Sequence, residues 1–119
     1  MQKEYKQYKA EVKRVIDGDT IEVVLDMGFG ISYTAKLRFL DFDAPETFRP
    51  SCSEEKEAGQ KAKYYLSERL MGRRNIIVKT YKDNKGKYGR ILARIFVDNE
   101  DIIETMKQMG MEKLQEWKK

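Results

Sequence analysis

The sequence predicts an α+β fold: a five-stranded OB-type β-barrel, with one helix between strands 3 and 4 and a second helix after the fifth strand. Three observations lead there. Periodic segments follow one another as three β-prone runs, a helical run, two further β-prone runs and a short helical run. Turn residues (Asp17-Gly18-Asp19, then Gly28 and Gly30) separate the first three runs. The chain has 119 residues, enough for one modest core and too few for two, so residues 1–119 are expected to form a single domain.

The first two strands are expected over Lys9 to Ile16 and Thr20 to Leu25, joined as a hairpin by the Asp-Gly-Asp turn. Ser32 to Leu40 then alternates, with Tyr33, Ala35, Leu37 and Phe39 on one face and Thr34, Lys36 and Arg38 on the other. Arg38 therefore leaves its strand opposite the apolar residues. After Asp43-Ala44-Pro45-Glu46 a polar loop runs to Pro50. Ser51 followed by Glu54 reads as a capping box opening a helix, along which Ala58, Ala62, Tyr65, Leu66 and Leu70 keep helical spacing until Gly72. Asn75 to Tyr81 forms a fourth strand, Asp83-Asn84-Lys85-Gly86 a turn, and Ile91 to Val97 a fifth strand. Asp101 caps a short helix carrying Ile102, Ile103, Met106 and Met109, which stops at Gly110. The tail from Met111 to Lys119 offers Leu114 and Trp117 as its further apolar anchors.

Composition narrows the chemistry. Hydrophobic residues are 40% and charged residues 37% of the chain, and the net charge of +4 permits a polyanionic partner without demanding one. One cysteine, Cys52, excludes an internal disulfide and a thiolate cluster. There is no histidine, which excludes a Ser-His-Asp triad, the usual zinc sites and any imidazole base. Catalysis would have to run on carboxylates, Lys, Arg, Tyr, backbone groups and a hard metal ion. The charged N-terminus lacks the apolar run of a signal peptide and no stretch is long enough to span a bilayer. A cytoplasmic chain is expected, unless a leader has been removed.

Two constellations stand out. Asp19 begins one strand and Asp43 follows another, so a closed barrel brings both to one rim. Glu46 lies three residues further on, behind the restricting ring of Pro45. Carboxylates that converge without histidine suit Ca²⁺ or Mg²⁺, because a divalent cation relieves their mutual repulsion. Singly, each is also an ordinary turn or cap residue. The second constellation is cationic: Arg38 at the end of the third strand and Arg90 at the start of the fifth could clamp a phosphodiester bidentately.

Three strings combine them: Val15-Ile16-Asp17-Gly18-Asp19-Thr20; Leu37-Arg38 with Asp43-Ala44-Pro45-Glu46; and Lys87-Tyr88-Gly89-Arg90. In that order and spacing, over about residues 11 to 111, the sequence resembles the staphylococcal nuclease (thermonuclease) family. The resemblance implies that Asp19 and Asp43 hold one Ca²⁺ together with the carbonyl of Ala44. It implies that Glu46 orients or deprotonates the attacking water, that Arg38 and Arg90 grip the phosphate, and that Lys87 and Tyr88 bind the neighbouring phosphate. Asp17 reads as a turn residue with a supporting role. The implied activity is hydrolysis of DNA and RNA with little sequence preference, leaving 3′-phosphates, by a monomer without membrane association. Two departures accompany it. Ala44 stands where the best-known secreted member has threonine. The tail is short, so that the first base-stacking tyrosine position falls at Glu116, with Trp117 either a substitute stacking surface or a cap on the core. The alternative is a non-catalytic OB module that binds nucleic acid or a protein on the same scaffold.

Overall fold

The strands are held by a single closed ladder, seen in a computed structural model that describes residues 4–81 and 91–118. The first strand, β1 (Glu4–Asp17), serves two partners: Ala10 to Asp17 pair antiparallel with β2 (Thr20–Gly28), and Glu4 to Ala10 pair antiparallel with β4 (Ile76–Tyr81). Irregularities between Val12 and Arg14 and between Val15 and Asp17 give β1 the local bend that a barrel corner needs. Strand β3 (Ile31–Phe39) pairs antiparallel with β2, and β5 (Ile91–Val97) pairs antiparallel with β4. Parallel pairing of Leu37, Arg38 and Phe39 with Ile91, Leu92 and Ala93 then closes the cylinder. The result is the expected five-stranded, mixed, closed barrel of the α+β OB type.

Helix α1 (Ser53–Leu70) covers the barrel between β3 and β4, and α2 (Ile102–Gln108) follows β5. The core holds Ile21, Val23, Leu37 and Phe39 from the barrel, Leu66 and Leu70 from α1, and Ile102, Ile103 and Met106 from α2. Asp101 caps α2 as its sequence position implies, its carboxylate accepting from the N–H groups of Ile103 and Glu104. Gly72 and Gly110 follow the two helices in the left-handed conformation that glycine tolerates.

Several boundaries and faces differ from the sequence expectation, each for a physical reason. β1 starts at Glu4 rather than Lys9, because the polar residues there gain their ladder from β4 rather than from burial. β2 and β3 continue past the barrel as a projecting hairpin, so Tyr33 is exposed although it lies in register with buried Ala35 and Leu37. The expected capping box is absent: Cys52 is the N-cap, without a side-chain cap bond, and Ser51 bonds to Glu55 instead of Glu54. Met109 is the exposed C-cap residue of α2 rather than part of its buried face. A two-residue strand β6 (Glu100–Asp101) turns back on β5 through Asp98 and Asn99, both at positive φ as a tight hairpin turn requires. The expected turn at Asp83 to Gly86, and with it Lys87, Tyr88 and Arg90, lies outside the described residues.

Candidate active site

The end of the β1–β2 hairpin and the end of β3 meet at one rim of the barrel. Thr20 pairs with Arg38 across the β2–β3 ladder, and the Phe39 N–H donates to the Asp19 carbonyl at 2.9 Å. Beyond Phe39 the chain reverses through Asp41, at φ 55°, which returns Asp43 towards the Arg38 guanidinium. Arg38 fixes this reversal by donating to the Phe42 carbonyl at 2.7 Å. The same guanidinium lies 3.2 Å from the Asp19 carboxylate and forms an ion pair with Asp43. One arginine thus bridges the two acids that sequence reasoning placed together.

Their environments are unlike. Asp19 is largely buried and accepts from the Ala44 N–H at 2.8 Å and the Thr20 hydroxyl at 2.9 Å. Burial pushes its carboxyl pKa up, against the lowering effects of Arg38 and of those two donors, while nearby Asp17 adds to the rise. Asp43 is exposed on its other side. Together with Glu46 they line a cavity of about 310 Å³, joined by Arg38, Ala44, Lys113 and Lys118. Three carboxylates share the lining with one guanidinium and two lysines, one of which, Lys113, is paired with Glu55, so the cavity as a whole is close to charge-balanced. All the carboxylate donor atoms are hard oxygens. Among the described residues no three ligand-type side chains converge closely enough to enclose an ion by themselves.

The loop carrying Ala44, Pro45 and Glu46 is anchored from three directions. Gly18 packs so closely that an added Cβ would lie 2.8 Å from the Ala44 Cβ and 2.9 Å from the Ala62 Cβ. Alanine rather than a larger residue at position 44 fits that confinement. Asp17 accepts from the Thr47 hydroxyl at 3.0 Å, which ties the β1–β2 turn to this loop. Glu55, fully buried in α1, accepts from the Glu46 N–H at 2.9 Å, the Ser51 N–H at 2.6 Å and the Ser51 hydroxyl at 2.9 Å. Lys113 completes its shell at 3.3 Å. Burial alone would raise the Glu55 pKa; the backbone donors of Ser51 and Glu46, the Ser51 hydroxyl and Lys113 outweigh it and hold the group at about 2.

Sequence reasoning missed Glu55, Lys113 and Lys118. A signal existed for Glu55, which falls in step with the buried stripe Gly59, Ala62, Leu66 and Leu70 on α1. The tail residues carried none, because a lysine gives no hint of its partner. The Lys113 N–H donates to the Asp43 carbonyl at 2.8 Å, so the C-terminal segment is strapped across the site loop. Trp117 lies beside Pro45, Ala58 and Leu114, half-buried, at a neighbouring cavity of about 270 Å³. It does not line the carboxylate cavity.

A closed OB barrel whose rim presents acidic groups around an arginine defines a class of small barrels suited to binding charged ligands at one end. Within that class the chain belongs to the staphylococcal nuclease family, whose description, Staphylococcal nuclease homologue, matches residues 36–119. It is 34% identical over 97 residues to Endonuclease YhcR of Bacillus subtilis, covering 78% of this chain and 8% of that protein. It is 33% identical over 102 residues to Endonuclease YncB of the same organism, covering 82% of this chain and 44% of that protein. A Thermonuclease of Staphylococcus intermedius is 33% identical over 100 residues, covering 84% of this chain and 55% of that protein. The chain therefore spans about half or less of these relatives' own lengths.

Proposed function

We propose that this chain is a calcium-dependent phosphodiesterase that, as a monomer, hydrolyses DNA and RNA without regard to the sugar and leaves 3′-phosphates. The observation that carries the reading is Arg38, shared between Asp19 and Asp43 at the rim cavity that Glu46 also lines. Membership of a nuclease family and the endonuclease and thermonuclease relatives support it. No helix among the described residues is long and apolar enough to cross a membrane.

The donor set fits a hard divalent cation. Asp19 and Asp43, with the Ala44 carbonyl, are the groups that would hold it, and the partly desolvated Asp19 gains most from a nearby positive charge. When bound, such an ion supplies positive charge for the phosphoryl oxygens and offsets repulsion among the carboxylates. The remaining work falls to the chain's own residues. Glu46 accepts a proton from water, whose oxygen attacks phosphorus while the bond to the 5′-oxygen breaks, and that 5′-oxygen takes a proton from solvent and leaves as the 5′-hydroxyl. Arg38 and Arg90 donate to the non-bridging oxygens, where negative charge accumulates as phosphorus becomes five-coordinate. Lys87 and Tyr88 hold the adjoining phosphate and so fix the register of the strand.

Glu46→Gln removes the base with little change in volume, and Arg38→Ala removes the clamp. Each should lower kcat on single-stranded DNA by about 10²-fold or more while urea unfolding remains cooperative. Full activity in both variants would overturn the mechanism. Binding without turnover by the parent protein would favour a non-catalytic module instead.

A further inference from the structure

A cavity of about 850 Å³ lies away from the rim that carries Asp19, Asp43 and Glu46. It opens where the β2–β3 hairpin leaves the barrel and faces the segment after α1. Lys9 and Lys13 of β1 and Arg73 and Arg74 after α1 line it, against two acids, Glu11 and Asp26. None of the four cations forms an ion pair with a carboxylate among the described residues. One Asp26 oxygen is engaged by the Gly28 N–H at 2.9 Å, which folds the hairpin end.

The hairpin end also exposes apolar surface that the fold does not need. Phe29 is fully exposed at φ 55°, between two glycines that are likewise at positive φ. An aromatic residue gains nothing there from burial and is disfavoured by the backbone, where asparagine or glycine would serve the turn better. Ile31, Tyr33 and Met71 are exposed nearby. Exposed apolar side chains grouped beside cations that have no carboxylate partner among the described residues, the Arg73 guanidinium donating only to the Glu68 carbonyl at 3.3 Å, suit a binding surface.

We propose that this groove is a second nucleic-acid-binding site, one that holds a single strand away from the point of cleavage; the assignment of a nucleic-acid substrate rests on the function proposed above. The cations lining the groove offer partners to phosphates, and Phe29, outside the lining but next in the chain to its residues Gly30 and Ile31, offers a stacking face to a base at the groove's edge. The groove is an open concavity lined by more cations than acids, which suits a polyanionic strand. It lies on the same hairpin as the acidic rim: six ladder steps separate the Thr20–Arg38 pair from the Asp26–Ser32 pair, on the order of 20 Å at about 3.3 Å per residue. A strand of about six or more nucleotides, at about 3.4 Å each when stacked, reaches both places, and a trinucleotide does not.

The test measures binding by fluorescence anisotropy with a chelator present, so that no turnover is needed. The probes are labelled oligothymidylates of about 3 and about 20 nucleotides. The variants are Arg73→Glu/Arg74→Glu, Phe29→Asn (which suits the turn) and a charge-matched control, Lys56→Glu/Lys61→Glu on the exposed face of α1. The double arginine variant should bind the long probe at least about tenfold more weakly, and its salt slope should fall by about 1.4, roughly 0.7 per lost phosphate contact. Phe29→Asn should weaken it severalfold, and the control should weaken it less than either. Equal affinities across parent and groove variants, an equal loss in the control, or groove variants defective only towards phosphatidylserine vesicles would each overturn the proposal. Because binding is read without cleavage, an inactive parent that still shows this pattern contradicts the catalytic reading alone.

Discussion

An alanine at position 59 sets helix propensity against the packing that holds the site loop. Gly59 lies inside α1, where replacing glycine by alanine ordinarily stabilises a helix by about 1 kcal/mol. Here the new Cβ would lie 2.6 Å from the Pro45 carbonyl oxygen and 2.8 Å from the Thr47 Cγ2. Restoring ordinary contact with Pro45 needs about 0.8 Å of movement in backbone, not in a flexible side chain. Such overpacking costs about 1–3 kcal/mol, so the net effect is a destabilisation of about 0–2 kcal/mol. The displaced residue precedes Glu46, and misplacing a catalytic group by about 1 Å can cost about 10²-fold in rate. Gly59→Ala should therefore leave the urea midpoint unchanged or lower it by up to about 1 M, without the rise that helix propensity alone would give, and should lower kcat greatly. Gln60→Ala, on the exposed face, should change neither by much. A Gly59→Ala protein that is more stable by the full propensity gain and retains parental kcat would refute the claim that α1 sets the loop position.

Glu55→Gln keeps one acceptor oxygen but turns an amide NH2 towards either the Glu46 or the Ser51 N–H, so it should lower kcat and flatten the acid side of the stability profile. Because the folded pKa of Glu55 is depressed to about 2, its stabilisation is complete above the unfolded value of 4.5 and is lost as pH falls towards 2. Urea titrations across that window should show the parent losing stability that the variant never had. Asp101→Ala should lower global stability by about 1 kcal/mol through loss of the α2 cap, with kcat unchanged.

The fold was legible because its signals are local and agree with one another. Asp17-Gly18-Asp19 marks the hairpin that presents Asp19, alternation over Ala35, Leu37 and Phe39 orients Arg38, and Asp101 announces α2. The parts that were misread depend on partners distant in the chain. Residues 4–8 have a strand's ladder only because β4 lies alongside, and Tyr33 is exposed only because the hairpin outruns the barrel. At the site, the meeting of Asp19, Arg38 and Asp43 followed from strand ends reaching one rim. Glu55 was hidden for the opposite reason. A carboxylate on the buried stripe of a helix contradicts the apolar pattern until the donors of Glu46, Ser51 and Lys113 are brought to it by tertiary structure.

The most direct measurement is cleavage of a labelled single-stranded oligonucleotide across a calcium titration, with the product ends identified. The account predicts saturable calcium dependence, no cleavage in excess chelator, 3′-phosphate ends, and loss of the calcium response in Asp19→Ala. Cleavage that persists undiminished in chelator, or products that end in 3′-hydroxyls, would contradict it.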